Sequence, residues 1–318
     1  GKLVPVDHLR AVYYFQLADE NNYPGAKLAL RIIYGNNKSN ESAIKQVVQY
    51  YYLAENENDP ESQYALGVFY SRSNLIECDI EKAIHYFSLA ANQNHSMAQY
   101  LLGDIYYDGN FIQRDINKAI HYYSLAANQN LKIAQFTLGV IYETGNFVQK
   151  NYNKAIHYYS LAANQNYAPA QYSLGIIYTK IIPKNPKKAI YYLQLASNNN
   201  SSDAQHALGL IYLNNELIPC NIDESIHYFT LAANQNNVKA QYNLGVIYYE
   251  GKLTQRNINK SIHYYTLAAN QNDPKAQVNL GVIYEKGEYV QRDINKAIHY
   301  YILAANRNYM NAQFNLGL

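Results

Sequence analysis

One segment of this chain returns without change. Lys-Ala-Ile-His-Tyr-Tyr-Ser-Leu-Ala-Ala-Asn-Gln-Asn spans Lys118–Asn130 and appears again at Lys154–Asn166, with near copies beginning at Lys82, Glu224, Lys260 and Lys296. A second block, Ala-Gln-Tyr-x-Leu-Gly-x-Ile-Tyr, alternates with it. Its glycine falls at Gly67, Gly103, Gly139, Gly175, Gly209, Gly245, Gly281 and Gly317. The spacing is 36 residues, except for 34 between Gly175 and Gly209. Counting back from Gly67, Arg31 stands in the place of a glycine, and Arg10–Asn22 is a degenerate copy of the first block. Self-similarity at such a period marks a stacked array, in which each unit covers the apolar face of its neighbour.

Both blocks have the period of a helix. Ala98, Leu102, Ile105 and Tyr106 lie at i, i+4, i+7 and i+8, and Ala119, Tyr122, Tyr123 and Ala126 at i, i+3, i+4 and i+7. Small alanine faces alternate with large tyrosine faces, which lets antiparallel helices interdigitate. A glycine inside a helix costs about 1 kcal/mol against alanine, so its recurrence points to close approach of a neighbouring helix. Gly109, Gly145, Gly251 and Gly287 sit where a left-handed residue would end the first helix of each pair. Asp79, Asp115, Asn151, Asn185, Asn221, Asn257 and Asp293 sit where an N-cap would open the second, and Pro186 follows Asn185 as a first-turn proline. The Asn-Gln-Asn segment turns the chain into the next repeat.

Composition excludes several classes. The net charge is +2 over 318 residues, far from the basic stripe that a nucleic-acid binder needs to displace counterions. No apolar run reaches the ~18 residues of a membrane span, so no membrane insertion is expected. Two cysteines rule out a disulfide scaffold or a cysteine-rich zinc module. Cys78 and Cys220 are equivalent loop positions four repeats apart, beyond disulfide reach at ~10 Å per repeat. Their thiols fit a reducing compartment and a cytoplasmic location. The sequons at Asn37, Asn40, Asn94, Asn199 and Asn200 point weakly to the ER lumen or secretory pathway, but an asparagine-rich chain generates them by chance. The 36 tyrosines, with no tryptophan, are the compositional oddity.

The pattern Ala-x-x-x-Leu-Gly-x-x-Tyr, a glycine-containing loop and Asp-x-x-Lys-Ala-x-x-Tyr-Tyr-x-x-Ala-Ala resemble the Sel1-like repeat family, relatives of tetratricopeptide repeats, over nearly the whole chain. The resemblance implies an all-α fold: an α-solenoid of antiparallel helix pairs wound into a right-handed superhelix, with first helices lining a concave groove. It also implies an adaptor or scaffold for protein–protein interaction. The chain departs from the family at Arg31, in carrying Leu89, Leu125, Leu161, Leu231 and Leu267 where lysine is usual, and in lacking the paired cysteines of some secreted members. On this reading residues 1–318 form a single solenoid of about nine helix pairs. Its N-terminal copy (10–45) is degenerate and its C-terminal copy (312–318) is cut short. A first residue other than Met and a last repeat left open mark the chain as a piece of a longer protein.

No constellation for chemistry stands out, and neither enzymatic activity nor a cofactor is expected. Ser42-Ala43-Ile44-Lys45 matches Ser-x-x-Lys, but no Ser-Asp-Asn or Lys-Thr-Gly accompanies it. His85, His121, His157, His227, His263 and His299 form a ladder, one per repeat. Packed helices lie ~8–10 Å apart, so adjacent rungs cannot share a metal held by bonds of ~2 Å. The ladder reads as an outward face of the second helix.

The remaining candidate is a binding face on the first helix. Positions at i, i+4 and i+7 vary from copy to copy, while the core positions barely change. The candidate protein-binding residues are Tyr64, Tyr100, Asp104, Tyr107, Phe136, Glu143, Tyr172, Tyr242, Tyr249 and Glu285. Variation on one face over a fixed core is what a reading surface requires, and tyrosine is enriched at interface hot spots. Tyr100, Tyr107, Tyr242 and Tyr249 are expected to be exposed. The expected partner is a protein or peptide. Two other readings remain open at this point: a regulatory arm of a larger enzyme such as a protein kinase, and a structural rod with no groove ligand. The apolar leucine row on the outer face of the second helix is the competing surface.

Overall fold

The computed structural model of the chain describes residues 58–72, 78–181, 184–214 and 216–317. The degenerate copy at 10–45, Arg31 and the Ser42–Lys45 motif lie outside them. The described residues hold fifteen α-helices and no strand. The chain forms two compact units, Gly1–Leu161 and Ala162–Leu318. The first contains α1 (Pro60–Arg72), α2 (Ile80–Asn92), α3 (Ser96–Asp108), α4 (Ile116–Asn128) and α5 (Lys132–Thr144). The unit boundary falls inside α6 (Tyr152–Ala163). The second unit contains α7 (Ala168–Lys180), α8 (Pro186–Asn198), α9 (Ser202–Leu213), α10 (Ile222–Asn234) and α11 (Val238–Glu250). It continues through α12 (Ile258–Asn270), α13 (Pro274–Lys286), α14 (Ile294–Ala305) and α15 (Met310–Gly317). Odd-numbered helices are the first of each pair and carry the internal glycine; even-numbered helices are the second.

Helix ends follow from the sequence. The Asp115 carboxylate accepts the Lys118 backbone N–H at 3.0 Å, and Asp79, Asn151, Asn185, Asn221, Asn257 and Asp293 cap their helices in the same way. Gly109, Gly145, Gly251 and Gly287 end α3, α5, α11 and α13 at φ between 63° and 69°. Without a glycine, α7 and α9 end in extended residues instead: Ile181, at the start of the shortened loop, and Asn214. The turn from each second helix into the next first helix places an asparagine in the left-handed region, from Asn94 and Asn130 to Asn308. This is the last residue of the Asn-Gln-Asn segment, and asparagine tolerates that conformation better than most side chains.

Within each pair the internal glycine meets an aromatic ring. A Cβ at Gly103 would lie 2.5 Å from the Tyr123 ring, and one at Gly245 would lie 2.4 Å from Tyr265. The alanines at 98, 119 and 126 are fully buried around the same contact. A buried glutamine joins successive repeats. Gln99 Nε2 donates to the Ala91 carbonyl, and its Oε1 accepts Gln129 Nε2 at 2.7 Å. The same bond links Gln93 to Gln63, Gln235 to Gln205 and Gln271 to Gln241, and Asn199 serves Gln171.

Candidate functional site

The first-helix face carries the ten candidate residues, and the packing places them more deeply than the sequence reading held. Tyr100, Tyr107, Tyr242 and Tyr249 are half-buried, not exposed. The reason is the central aromatic of the second helix. Tyr100 and Tyr107 lean on Tyr123 at centroid distances of 5.6 and 6.4 Å, and Tyr242 leans on Tyr265 at 5.9 Å. Tyr249 meets Tyr289 edge to face. Tyr64 lies over Phe87, Phe136 over Tyr159, and Tyr172 against the cluster that includes Leu193. All of these candidate rings are half-buried.

The acidic candidates hold the central tyrosines. Tyr123 donates its hydroxyl to Asp104 at 2.9 Å, Tyr159 to Glu143 at 2.7 Å and Tyr301 to Glu285 at 2.6 Å. Burial, and then the Asp104 charge, pushes the Tyr123 hydroxyl well above its ordinary range, so it stays a donor at any physiological pH. These pairs lock rings and carboxylates into one geometry; they do not generate a base or a nucleophile.

Clefts open on the first-helix side of each unit, at equivalent positions between successive first helices. One lies between α1 and α3, lined by Ser71, Phe87, Leu101, Asp104, Asp108 and Phe111 among others. A second lies between α7 and α9, with Ile176, Thr179, Lys184, Leu210, Asn214 and Leu217. A third lies between α11 and α13, with Tyr242, Val246, Tyr249, Glu250, Asn279 and Val282. Their volumes are about 100, 220 and 240 Å³. A cofactor or drug-sized ligand takes ~300–1,000 Å³, so these clefts suit single side chains of an extended ligand. The floor is apolar in each, while the polar groups differ from cleft to cleft.

A loop residue after the first helix, repeated in four copies, escaped the sequence reading; of the four, Phe111 lines a cleft. Phe111, Phe147, Leu253 and Tyr289 occupy one repeat position, and all are exposed large hydrophobics. The signal was present as an apolar residue at a fixed place in an otherwise polar loop. An isolated exposed ring carries no period within its own helix, and the loop was read only for its cap.

The second-helix face is different in kind. The six ladder histidines are exposed. His121 sits edge-on to Tyr122, which stacks on Tyr106 at 5.8 Å with 7° between planes, and Lys118 Nζ lies 5.1 Å from the Tyr106 centroid. This lysine–tyrosine–tyrosine column recurs with Lys82, Lys154, Lys188, Lys260 and Lys296. Among the described residues no three metal-ligating side chains come together. Leu89, Leu125, Leu161, Leu231 and Leu267 are half-buried. Cys78 and Cys220 are exposed and form no disulfide. Among the described residues no helix is long and apolar enough to cross a membrane.

The repeat pattern is matched by a family model. The model of the Sel1 repeat aligns with residues 1–23, 60–95, 96–131, 132–167, 168–201, 202–237, 238–273 and 274–309. Two solved structures are similar. The first is a Sel1 repeat protein from Oxalobacter formigenes, with a TM-score of 0.76 and 23% identity over 96% of this chain and 89% of that one. The second is c5321, a protective antigen present in uropathogenic Escherichia coli strains that displays an SLR fold. Its TM-score is 0.59 and its identity 25%, over 98% of this chain and 75% of that one. No curated protein matches the chain.

Proposed function

The chain belongs to the Sel1 repeat family, and from that premise we propose that it is a non-catalytic scaffold whose first-helix face binds an extended protein or peptide segment. The observation that carries this reading is the set of three clefts at equivalent positions between successive first helices, each with an apolar floor and its own polar groups. Within a unit, a ligand running across the first helices would place a side chain in each cleft it crosses, and the differing polar groups would read its sequence. Tyr64, Tyr100, Tyr107, Phe136, Tyr172, Tyr242 and Tyr249 supply half-buried rings already packed against the core, so little side-chain entropy is lost on binding. Asp104, Glu143 and Glu285 supply acceptors next to those rings. The second-helix face is nearly the same in every repeat and discriminates little. Two exposed cysteines without a disulfide favour the cytoplasm.

The test is selection of a displayed peptide library on the intact chain, followed by affinity measurement on variants. Tyr242→Ala and Tyr249→Ala each weaken the selected peptides by about 1–2 kcal/mol if they are hot spots, while His121→Ala and His263→Ala leave affinity unchanged. If the tyrosine variants fold and bind normally while Leu125→Lys and Leu267→Lys abolish binding, the working surface is the second-helix face.

A further inference from the structure

The repeats contain their own example of what covers the loop aromatic at a cleft mouth. In the loop after α3, Arg114 donates through Nε and Nη2 to the carbonyls of Tyr107 and Asp108, both at 2.8 Å. Its guanidinium lies 4.6 Å from the centroid of Phe147, the loop aromatic of the following repeat. Arg256 lies over Tyr289 in the same way at 5.0 Å. Both stacks have the geometry of a cation over an aromatic face.

One repeat earlier the position of Arg114 carries no cation, and the loop aromatic remains. Cys78 occupies the place of Arg114, and its thiol reaches the Ser71 carbonyl, the equivalent of the Tyr107 carbonyl, at 3.4 Å. Phe111 still stands at the mouth and is 64% exposed, against 46% for Phe147 beneath Arg114. The cleft below it is lined by Asp104 and Asp108. The equivalents of those two residues in the Phe147 repeat are Val140 and Thr144, both uncharged. The same exchange recurs along the chain. Cys220 is followed one repeat on by Glu250 at the position of Asp108, whereas Lys150, Lys184 and Arg256 are followed by Lys180, Asn214 and Lys286. Where the loop cation is lost, an acid stands at the position of Asp108 one repeat on. Only the Cys78 cleft combines that acid with an aromatic, since Leu253 fills the mouth position after Cys220.

We infer that the cleft formed by Phe111, Asp104, Asp108, Leu101 and Ser71 takes the side chain of an arginine from a protein partner, seated on Phe111 as Arg114 is seated on Phe147. The carboxylates supply charge complementarity for the guanidinium, and Leu101 and Phe87 supply apolar surface for its methylenes. This inference rests on the proposal that the first-helix face binds an extended segment, and it names one anchor of that segment.

The probe is the tripeptide acetyl-Gly-Arg-Gly-amide, with acetyl-Gly-norleucine-Gly-amide as the uncharged control, titrated into the isotopically labelled full chain by NMR. The arginine peptide shifts the resonances of Phe111, Asp104 and Asp108; the norleucine peptide does not. Cys78→Arg, which restores the residue of the next repeat in an exposed loop, fills the site from within and weakens the arginine peptide at Phe111 by about tenfold or more. Asp104→Asn together with Asp108→Asn has the same effect, and the amide oxygen that Asp104→Asn introduces still accepts the Tyr123 hydroxyl. Equal shifts from both peptides, no shift at Phe111, or undiminished binding to Cys78→Arg each overturn the inference. Library-selected peptides that bind wild type and Cys78→Arg alike, but are lost in Tyr242→Ala and Tyr249→Ala, overturn the arginine anchor and leave the face proposal standing. Peptides indifferent to all of these substitutions overturn both.

Discussion

At Gly103 a single added methyl group would sit 2.5 Å from the Tyr123 ring, a ring that is 1% exposed and hydrogen-bonded to Asp104. Neither partner has much room to give, because the hydroxyl is tethered and Tyr100 and Tyr107 lie against the ring. Gly103→Ala is therefore expected to destabilise the chain by about 1–3 kcal/mol despite alanine's better helix propensity, as overpacking does in other cores. Denaturant unfolding with an unchanged m-value checks it, and a gain in stability would show that the ring moves aside. A second residue, His206, stands where four other repeats carry tyrosine. Burial lowers its pKa below the ordinary 6.5, with Lys239 adding to the effect. Between that lowered value and 6.5 the unfolded chain binds more protons than the folded one, so stability falls as pH drops through this window. His206→Tyr is expected to flatten the loss of Tm between neutral pH and about pH 5. An unchanged pH profile would place the acid sensitivity elsewhere.

Helix ends were legible because capping chemistry is local. An aspartate or asparagine three residues before the N–H it receives, and a glycine past the last turn, need no tertiary context. The recurring glycine was legible for a related reason, since only a tertiary contact justifies it inside a helix. The glutamine of the Ala-Gln-Tyr block was not. Its amide donates to a carbonyl eight residues earlier, across a turn, and accepts from a side chain 30 residues later. A polar residue on an apolar stripe carries no sign of either partner. The exposure of Tyr100 and Tyr107 was overestimated for the same reason: helical period places them off the core stripe, but only the reach of Tyr123 brings a ring beneath them. The glutamine chain ends in a natural experiment. Gln277 Oε1 is buried and meets no donor among the described residues, at the repeat where Arg307 replaces the glutamine found at 129, 235 and 271. An unmet buried acceptor costs about 1–3 kcal/mol. Arg307→Gln is thus expected to raise stability by about 1 kcal/mol, and Gln129→Ala, which strips the donor from Gln99, to lower it by a similar amount or more. Thermal and denaturant melts of the two variants decide whether the chain of amides stabilises the stack.

On the scale of the whole molecule the contacts are short in sequence. Within each unit every substantial helix–helix contact joins helices that are adjacent or next but one along the chain. Stability in such an array is close to a sum of repeat and nearest-neighbour terms, so a repeat removed in register should leave its neighbours able to close on each other. Residues Val238–Asp273 make one full period in the second unit. Excising them joins Asn237 to Pro274. Asn237 now caps α11 through the Ala240 N–H, as Asp273 caps α13 through Ala276; in the excised chain Asn237 takes the cap of α13. Pro274 falls at the first helical position, where it is tolerated. The removed pieces are mutually paired: Gly245 leaves with Tyr265, and Gln241 with Gln271. Gln277, which donates to the Ala269 carbonyl, finds Ala233 in the same relation. The excised chain is therefore expected to fold, with its helical circular dichroism per residue unchanged and its unfolding enthalpy reduced roughly in proportion to length. An excision of the same length shifted by half a period, from residue 256 to 291, removes α12 and α13 and joins α11 to α14. That junction still pairs a first helix with a second and serves as a register control. Excising only eighteen residues, 256 to 273, instead removes α12 alone and leaves two first helices, α11 and α13, in succession, with no ring to meet the glycine of α11, and is expected to lose cooperative unfolding. If the in-register and out-of-register excisions unfold alike, the repeats are not the unit in which this molecule is stabilised.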